Sequence, residues 1–320
     1  MPLVPIVLIS HPDLLRHDTG GGLHPEVPER LTAIRARLAA GPLAAVLREE
    51  TSRAADWPDL LVYHDEAYLA RFEEAALAGR SHLGHPDNQI SYDSFNAALL
   101  AAGAGLVGID LLEREAGVLP FCSVRPPGHH AERALALGFC FINNIVVAAR
   151  YWQRRYGRRR LAVVDWDAHH GNGIQAAFET DPEVLYASIH EHPTFSFPGT
   201  GYSDETGTGP GLGYTLNVPL PPGAHDAMVL AALDEQLEPA LTAFAPEGLI
   251  VAAGLDGHRQ DDMSGLAYST GLYRRLGERM AAWGRRYCQG RVLSILEGGY
   301  ELEPLAASVE AYLLGLAEGE

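Results

Sequence analysis

The sequence predicts an α/β fold, a single domain over residues 1–320 in which a central parallel sheet carries helices on both faces. Three observations predict it. Short apolar runs alternate with helix-period segments along the whole chain, the pattern of repeated strand–crossover–strand units. No short repeat, low-complexity tract or linker interrupts the 320 residues. Four of the strand-like runs pass directly into polar, chemically capable residues, as happens at the carboxyl edge of parallel sheets where ligands bind.

Taken in order, strands are expected at Val4–Ile9, Phe121–Val124, Leu161–Asp165, Val184–Ile189, Leu249–Ala253 and Val292–Leu296, short aliphatic runs suited to a buried sheet. Helices are expected at Ser94–Glu115, Asn144–Tyr156, Met228–Ala243 and Tyr268–Tyr287. The Gly- and Pro-rich stretch Phe197–Gly213 reads as a long loop, because strand-like "YTLNVPL" resumes at once. The first ten residues lack a basic n-region and are too short to span a membrane. They read as the first strand, and no membrane association is expected.

Lys and Arg total 24 against 41 Asp and Glu, a net charge of −17, and every one of the 24 is arginine. A chain without lysine performs no Schiff-base or lysine-base chemistry. Its acidity does not suit direct binding of nucleic acid, which needs a basic surface, and it favours cationic substrates. The basic run "RRYGRRR", residues 154–160, reads as a solvated helix end whose charges suit the dipole. Three scattered cysteines without a Cys-x-x-Cys pair point away from a disulfide framework and toward the reducing cytoplasm. No pattern in the sequence specifies an oligomer.

The chemistry concentrates in "VVDWDAHHGNG", where Asp165, Asp167 and His169 are spaced to share one face of a strand end. Buried carboxylates and imidazoles are costly unless paired, so this cluster calls for a cation or a reaction. Asp167 and His169 offer oxygen and nitrogen to a divalent metal such as zinc, whose catalytic sites use three protein ligands. Asp256, at the end of "LIVAAGLD", is the candidate third. An ion-pair network or helix caps form the alternative reading, the favoured one if Asp256 stood alone. In "RPPGHH", Pro126 and Pro127 set an extended turn and Gly128 permits tight geometry. The turn aims the tandem His129 and His130 as acid/base groups, with Asp165 placed to orient one ring. In "EGGY", Tyr300 has a phenol able to donate to a developing oxyanion; taken alone it would read as a packing tyrosine.

Together "RPPGHHA", "GFCFINN", "VDWDAHHGNG", "FPGTG", "AGLDGHRQDD" and "EGGY" resemble the zinc-dependent histone deacetylase superfamily, with its bacterial deacetylase-like amidohydrolases and acetylpolyamine amidohydrolases. The resemblance runs from "HPEVPERL" to Tyr300, and the asparagine of "HHGNG" is similar to the class II branch. It implies an arginase/deacetylase-like fold and hydrolysis of N-acetyl amides to acetate and free amine. The substrates implied are acetyl-lysine in proteins or peptides, or small acetylated amines such as acetylpolyamines. It further implies one zinc ion per chain on Asp167, His169 and Asp256, and His130 as general base and acid beside His129. Tyr300 would polarise the carbonyl, and Asp165 and Asn172 would support the histidines. Gly138, Phe139 and Phe197 would form a narrow acyl-chain tunnel with Met263 at its rim. A structural potassium (or sodium) ion would use Asp165, Asp167, His169, Ser188 and Ile189, and a second would use Phe178, Asp181, Val184 and Tyr214.

The chain departs from the pattern in "LDGHRQDDMSG", where Asp262 replaces a proline. Met263 is not the acidic gatekeeper of the polyamine-selective animal relative. The rim loops His11–Glu29 and His82–Gln89 match weakly. Asp87, Asp261 and Asp262 are expected near the rim, favouring a substrate with a cationic far end. Two other functions are weighed against this one. A two-manganese ureohydrolase of the same fold class needs bridging carboxylates that these motifs lack. A non-catalytic acyl-ligand sensor should have lost a ligand, a histidine or Tyr300, and none is lost.

Overall fold

The computed structural model describes residues 3–21 and 24–318. Residues 22 and 23 of the expected rim loop His11–Glu29 lie outside the described residues. Eight strands form the sheet: β1 Ile6–Ser10, β2 Leu47–Thr51, β3 Leu119–Cys122, β4 Leu161–Asp165, β5 Val184–Glu191, β6 Thr215–Leu220, β7 Gly248–Ala253 and β8 Val292–Leu296. They run in the order β2-β1-β3-β8-β7-β4-β5-β6, and every pairing is parallel. The helices are α1 Glu29–Ala40, α2 Trp57–Leu60, α3 Glu66–Leu77, α4 Ser94–Arg114, α5 Asn144–Tyr156, α6 Asn172–Phe178, α7 Asp226–Ala232, α8 Glu238–Phe244, α9 Thr270–Cys288 and α10 Leu302–Glu318. A π-helical turn at Leu233–Leu237 joins α7 to α8, so the single helix expected at Met228–Ala243 is continuous but locally under-wound by one wide turn.

The strand β8 shows why helices cover both faces. Its alternate side chains point to opposite sides of the sheet. Leu293 and Ile295 reach Gly108 and Gly105 of α4. Val292 meets Gly284 of α9, and the Ser294 hydroxyl lies 2.7 Å from that of Tyr312 on α10. A strand buried on both sides must be apolar throughout, which is what made Val292–Leu296 and Leu161–Asp165 readable at their observed bounds. The helix α5 also starts and stops where expected. Asn143 caps it by accepting the Val146 N–H at 3.1 Å, and Gly157 closes it in the left-handed conformation. The helix α4 is long and apolar enough to cross a membrane, yet its apolar surface is buried against the sheet and α5.

The topology positions the site. The strands β3, β8, β7 and β4 are consecutive neighbours in the sheet, and they are the four that run into "RPPGHH", "EGGY", "LDGHRQDD" and "WDAHHGNG". Segments far apart in sequence therefore end side by side along one edge.

A buried acid–base and candidate metal site

At the end of β4, Asp165, Asp167 and His169 point inward and are at most 7 % exposed; Asp256, just beyond β7, is fully buried. Their donor atoms lie within 4.8 Å of one another for Asp167, His169 and Asp256. Backbone groups occupy the outward lone pairs: Asp167 accepts the N–H groups of His169 (3.0 Å) and Gly298 (2.8 Å), and Asp256 accepts that of Ala168 (2.9 Å). His169 Nε2 donates to the Met263 carbonyl at 3.1 Å. That bond leaves Nδ1 to face Asp256 (2.9 Å) and Asp167 (3.2 Å). A lone pair directed at two buried carboxylates is repulsive unless a cation or a proton lies among them. Burial drives the His169 imidazole toward neutrality, but the two carboxylates outweigh it and hold the pKa well above the usual range. Two carboxylate oxygens and one imidazole nitrogen fit a divalent metal such as zinc. Close approach of "EGGY" requires its glycine. A Cβ on Gly298 would lie 2.4 Å from Asp256 Oδ2 and 2.6 Å from Asp167 Oδ2.

The tandem histidines sit beside this cluster with ring centroids 3.9 Å apart. Each has a different partner. His129 Nδ1 lies 3.2 Å from Asp165 Oδ2, a carboxylate, while His130 Nδ1 donates to Asn172 Oδ1, an amide, at 2.8 Å. Burial lowers the His129 pKa, but Asp167 and Asp165 override it and raise it to about 10. For His130, burial is reinforced by the positive charges of His129 and His169, and the pKa falls well below 6.5. The two neighbouring rings thus sit in opposite electrostatic environments, one favouring the cation and the other the neutral imidazole. Tyr300 remains a protonated phenol, its pKa pushed well up by burial and by Asp256.

Sequence reasoning missed what holds these groups. Glu297, one residue before the glycines, accepts the Gly128 and His129 N–H groups at 2.7 and 3.0 Å and thereby ties the end of β8 to the histidine turn. Burial raises its pKa to about 7. Beneath Tyr300, Arg30 lies 5.0 Å from the ring centre and donates to the Gly299 and Glu297 carbonyls. The buried Glu26 carboxylate bridges Arg30 (3.0 Å) and Arg125 (2.6 Å). The available signal was charge between prolines, in "HPEVPER" and "VRPPG". A second cluster, His129, Cys140 and Glu297, also brings donor atoms within 4.8 Å. It is a poorer cation site, because burial keeps the Cys140 thiol protonated and only Glu297 Oε1, not Oε2, is free of N–H donors.

A cavity of about 160 Å³ leads from solvent to the cluster, lined by Asp87, His130, Gly138, Phe139, His169, Phe197, Met263 and Tyr300. The Phe139 ring packs edge-on to Tyr300 (5.9 Å) and that of Phe197 edge-on to His130 (4.9 Å). Gly138 and Phe139 both have positive φ, 54° and 66°. A Cβ on Gly138 would meet His130 at 2.5 Å. Asn88, a residue not anticipated, holds the turn by accepting the Phe139 N–H and donating to the Ala136 carbonyl.

Not every expectation survives. Asp87 is at the mouth and Asp262 is exposed, but Asp261 is buried. Its carboxylate turns inward to backbone N–H groups, so it adds no charge to the rim surface. Of the residues expected around monovalent cations, Asp165 and Ser188 are register partners on β4 and β5. Phe178, Asp181 and Val184 gather at the turn from α6 into β5, where the Asp181 carboxylate pairs with Arg150 at 2.5 Å.

A buried histidine pair next to a carboxylate–imidazole cluster, at the carboxyl edge of a parallel sheet and reached by a cavity with aromatic walls, is the arrangement of a hydrolase. Comparison with known proteins specifies which. The histone deacetylase domain family matches residues 24–316, and the chain belongs to that family. A probable deacetylase of Archaeoglobus fulgidus is 36 % identical over 92 % of this chain and 81 % of its own. The human polyamine deacetylase HDAC10 is 38 % identical over 89 % of this chain and 43 % of its own. The crystal structure of the HDA15 HD domain matches with a TM-score of 0.91 at 33 % identity, covering 99 % of this chain and 89 % of that one. The protein is a hydrolase of the deacetylase family. The ureohydrolase and sensor alternatives fall away.

Proposed function

We propose that the protein is a zinc enzyme that hydrolyses linear N-acetyl amines with a cationic far end, both acetyl-lysine in peptides and small acetylated polyamines. The observation that carries this reading is the tunnel. Its aromatic walls leave room for methylenes, its floor is His130, His169 and Tyr300, and Asp87 stands at its mouth. The net charge of −17 adds long-range attraction for cations. Likeness to a polyamine deacetylase supports the smaller substrates, whereas Met263 lacks the charge that would restrict the enzyme to them.

Asp167, His169 and Asp256 would hold the metal. When bound, zinc supplies Lewis acidity and a water of lowered pKa. The remaining chemistry falls to this chain's own groups. His130, neutral and fixed by Asn172 through Nδ1, presents Nε2 to take the proton of the attacking water. Tyr300 donates its O–H to the carbonyl oxygen as negative charge develops there. His130 then returns the proton to the departing nitrogen, so that water and amide become acetate and amine. Asp165 keeps His129 cationic and oriented, which adds positive potential beside the oxyanion. Around Asp165 and Ser188, and at the α6–β5 turn, we place structural potassium (or sodium) ions. Three unpaired, buried cysteines support a cytoplasmic setting.

The test is a panel of N-acetyl amines of equal chain length with cationic, neutral or anionic ends, assayed for acetate release by zinc-reconstituted protein. Cationic members should be hydrolysed best and anionic ones least. Preference for an anionic end, or no hydrolysis of any linear acetamide, overturns the reading.

A further inference from the structure

Asp261 was expected as a surface charge at the tunnel rim, and its burial raises the question of what it does. It lies in the loop from β7 to α9, is 6 % exposed, and spends its carboxylate on three backbone donors from two segments. Oδ1 accepts the Met263 N–H at 3.1 Å. Oδ2 accepts the Tyr300 N–H at 2.7 Å and the Glu301 N–H at 3.2 Å. The Met263 carbonyl in turn accepts His169 Nε2 at 3.1 Å. One side chain thus links the residue at the tunnel rim, an imidazole of the metal cluster and the residue that faces the substrate carbonyl. The link matters because Tyr300 follows two glycines, Gly298 and Gly299, the second with φ 118°. Such a backbone does not by itself fix where the phenol points. A buried carboxylate receiving several N–H groups is a rigid, charge-assisted anchor.

We infer that Asp261 is the positioning residue of Tyr300: it fixes the phenol in register with the metal cluster and the tunnel rim, so that turnover depends on a group that touches neither substrate nor metal. Asparagine is the discriminating substitution. It keeps the shape but offers one acceptor oxygen, so either Met263 or the Tyr300–Glu301 turn loses its acceptor and faces an amide donor.

The inference rests on Tyr300 as the oxyanion donor, and a double-mutant cycle separates the two ideas. Asp261→Asn, Tyr300→Phe and the double variant are loaded with zinc, checked for metal content and thermal unfolding, and assayed on an acetamide under single-turnover conditions. Asp261→Asn should retain its metal and lose turnover by about 10- to 100-fold, the scale of an ångström-level misplacement. A trifluoroacetyl analogue should suffer less. On the Tyr300→Phe background the same substitution should cost less than about twofold, because its effect acts through the missing hydroxyl. Equal losses on both backgrounds overturn the inference and leave Tyr300 in its role. A fully active Tyr300→Phe removes that role and the inference with it. Should the asparagine variant not fold, Asp261→Ser completes the same cycle.

Discussion

Beneath the floor of the tunnel, Asp165, Asp167, Asp256 and His129 lie just beyond strand ends with at most 3 % exposure, fixed by backbone N–H groups and by one another. At the mouth, Asp87, Phe197 and Met263 sit on loops; Phe197 is 41 % exposed, and Asp87 contacts the side chain of its near neighbour His85. The floor is set by the sheet, whose register leaves no freedom to shift one ligand without the others. The mouth is set by loop conformation, which tolerates change. Chemistry and selectivity are thus carried by parts of differing rigidity, and substitutions should separate them.

The largest effect is expected at the floor. His169→Ala should reduce bound zinc from one per chain to a small fraction and abolish turnover, since three ligands barely enclose the ion; elemental analysis alongside the assay checks both. Tyr300→Phe should keep the metal and lower turnover by roughly 10²–10³-fold, measured as kcat on an acetamide. Glu26 tests the foundation beneath. Burial alone would raise its pKa, but Arg125 and Arg30 override burial and depress it from 4.5 to about 2. A depressed carboxylate contributes stability that is complete above the unfolded value and lost as pH falls through the folded one. Glu26→Gln should therefore cost roughly 3 kcal/mol at pH 7, and the gap from wild type in urea unfolding should narrow between about pH 4.5 and 2. The smallest effect belongs to the mouth. Asp87→Asn should raise KM for cationic substrates about two- to fourfold at low salt with kcat unchanged, and the difference should fade as salt screens the charge. A large kcat loss at Asp87 would erase the division between floor and mouth.

The same division governs what could be read from sequence. A strand buried on both faces advertises itself by unbroken apolar character, so β4 and β8 were legible to the residue, and with them the polar residues they deliver. The edge strand β2, Leu-Arg-Glu-Glu-Thr, has four exposed residues and looks like a polar loop. Asp261 was misplaced because a run of three polar residues, Gln260 to Asp262, carries no sign of which one folds inward. Glu297 and the Glu26–Arg125 pairing were hard to read for a related reason. Glu297 is paired with backbone N–H groups 168 and 169 residues away and Glu26 with a guanidinium 99 residues away; only the Glu26–Arg30 pair, four residues apart, is local.

The position of β8 also bears on how the molecule is made. The β2-β1-β3 ribbon and the β7-β4-β5-β6 ribbon share no hydrogen-bonded strand except through β8, which begins at Val292 although its neighbour β3 ends at Cys122. Pairings so distant in sequence form late. During synthesis, the ribbon bearing His129 and His130 and the ribbon bearing Asp167, His169 and Asp256 are expected to stay unjoined in the sheet until Val292–Leu296 is made and pairs with both. A chain halted before that point holds every proposed metal ligand and both histidines, yet lacks the keystone that seats them against one another and the tyrosine that follows it.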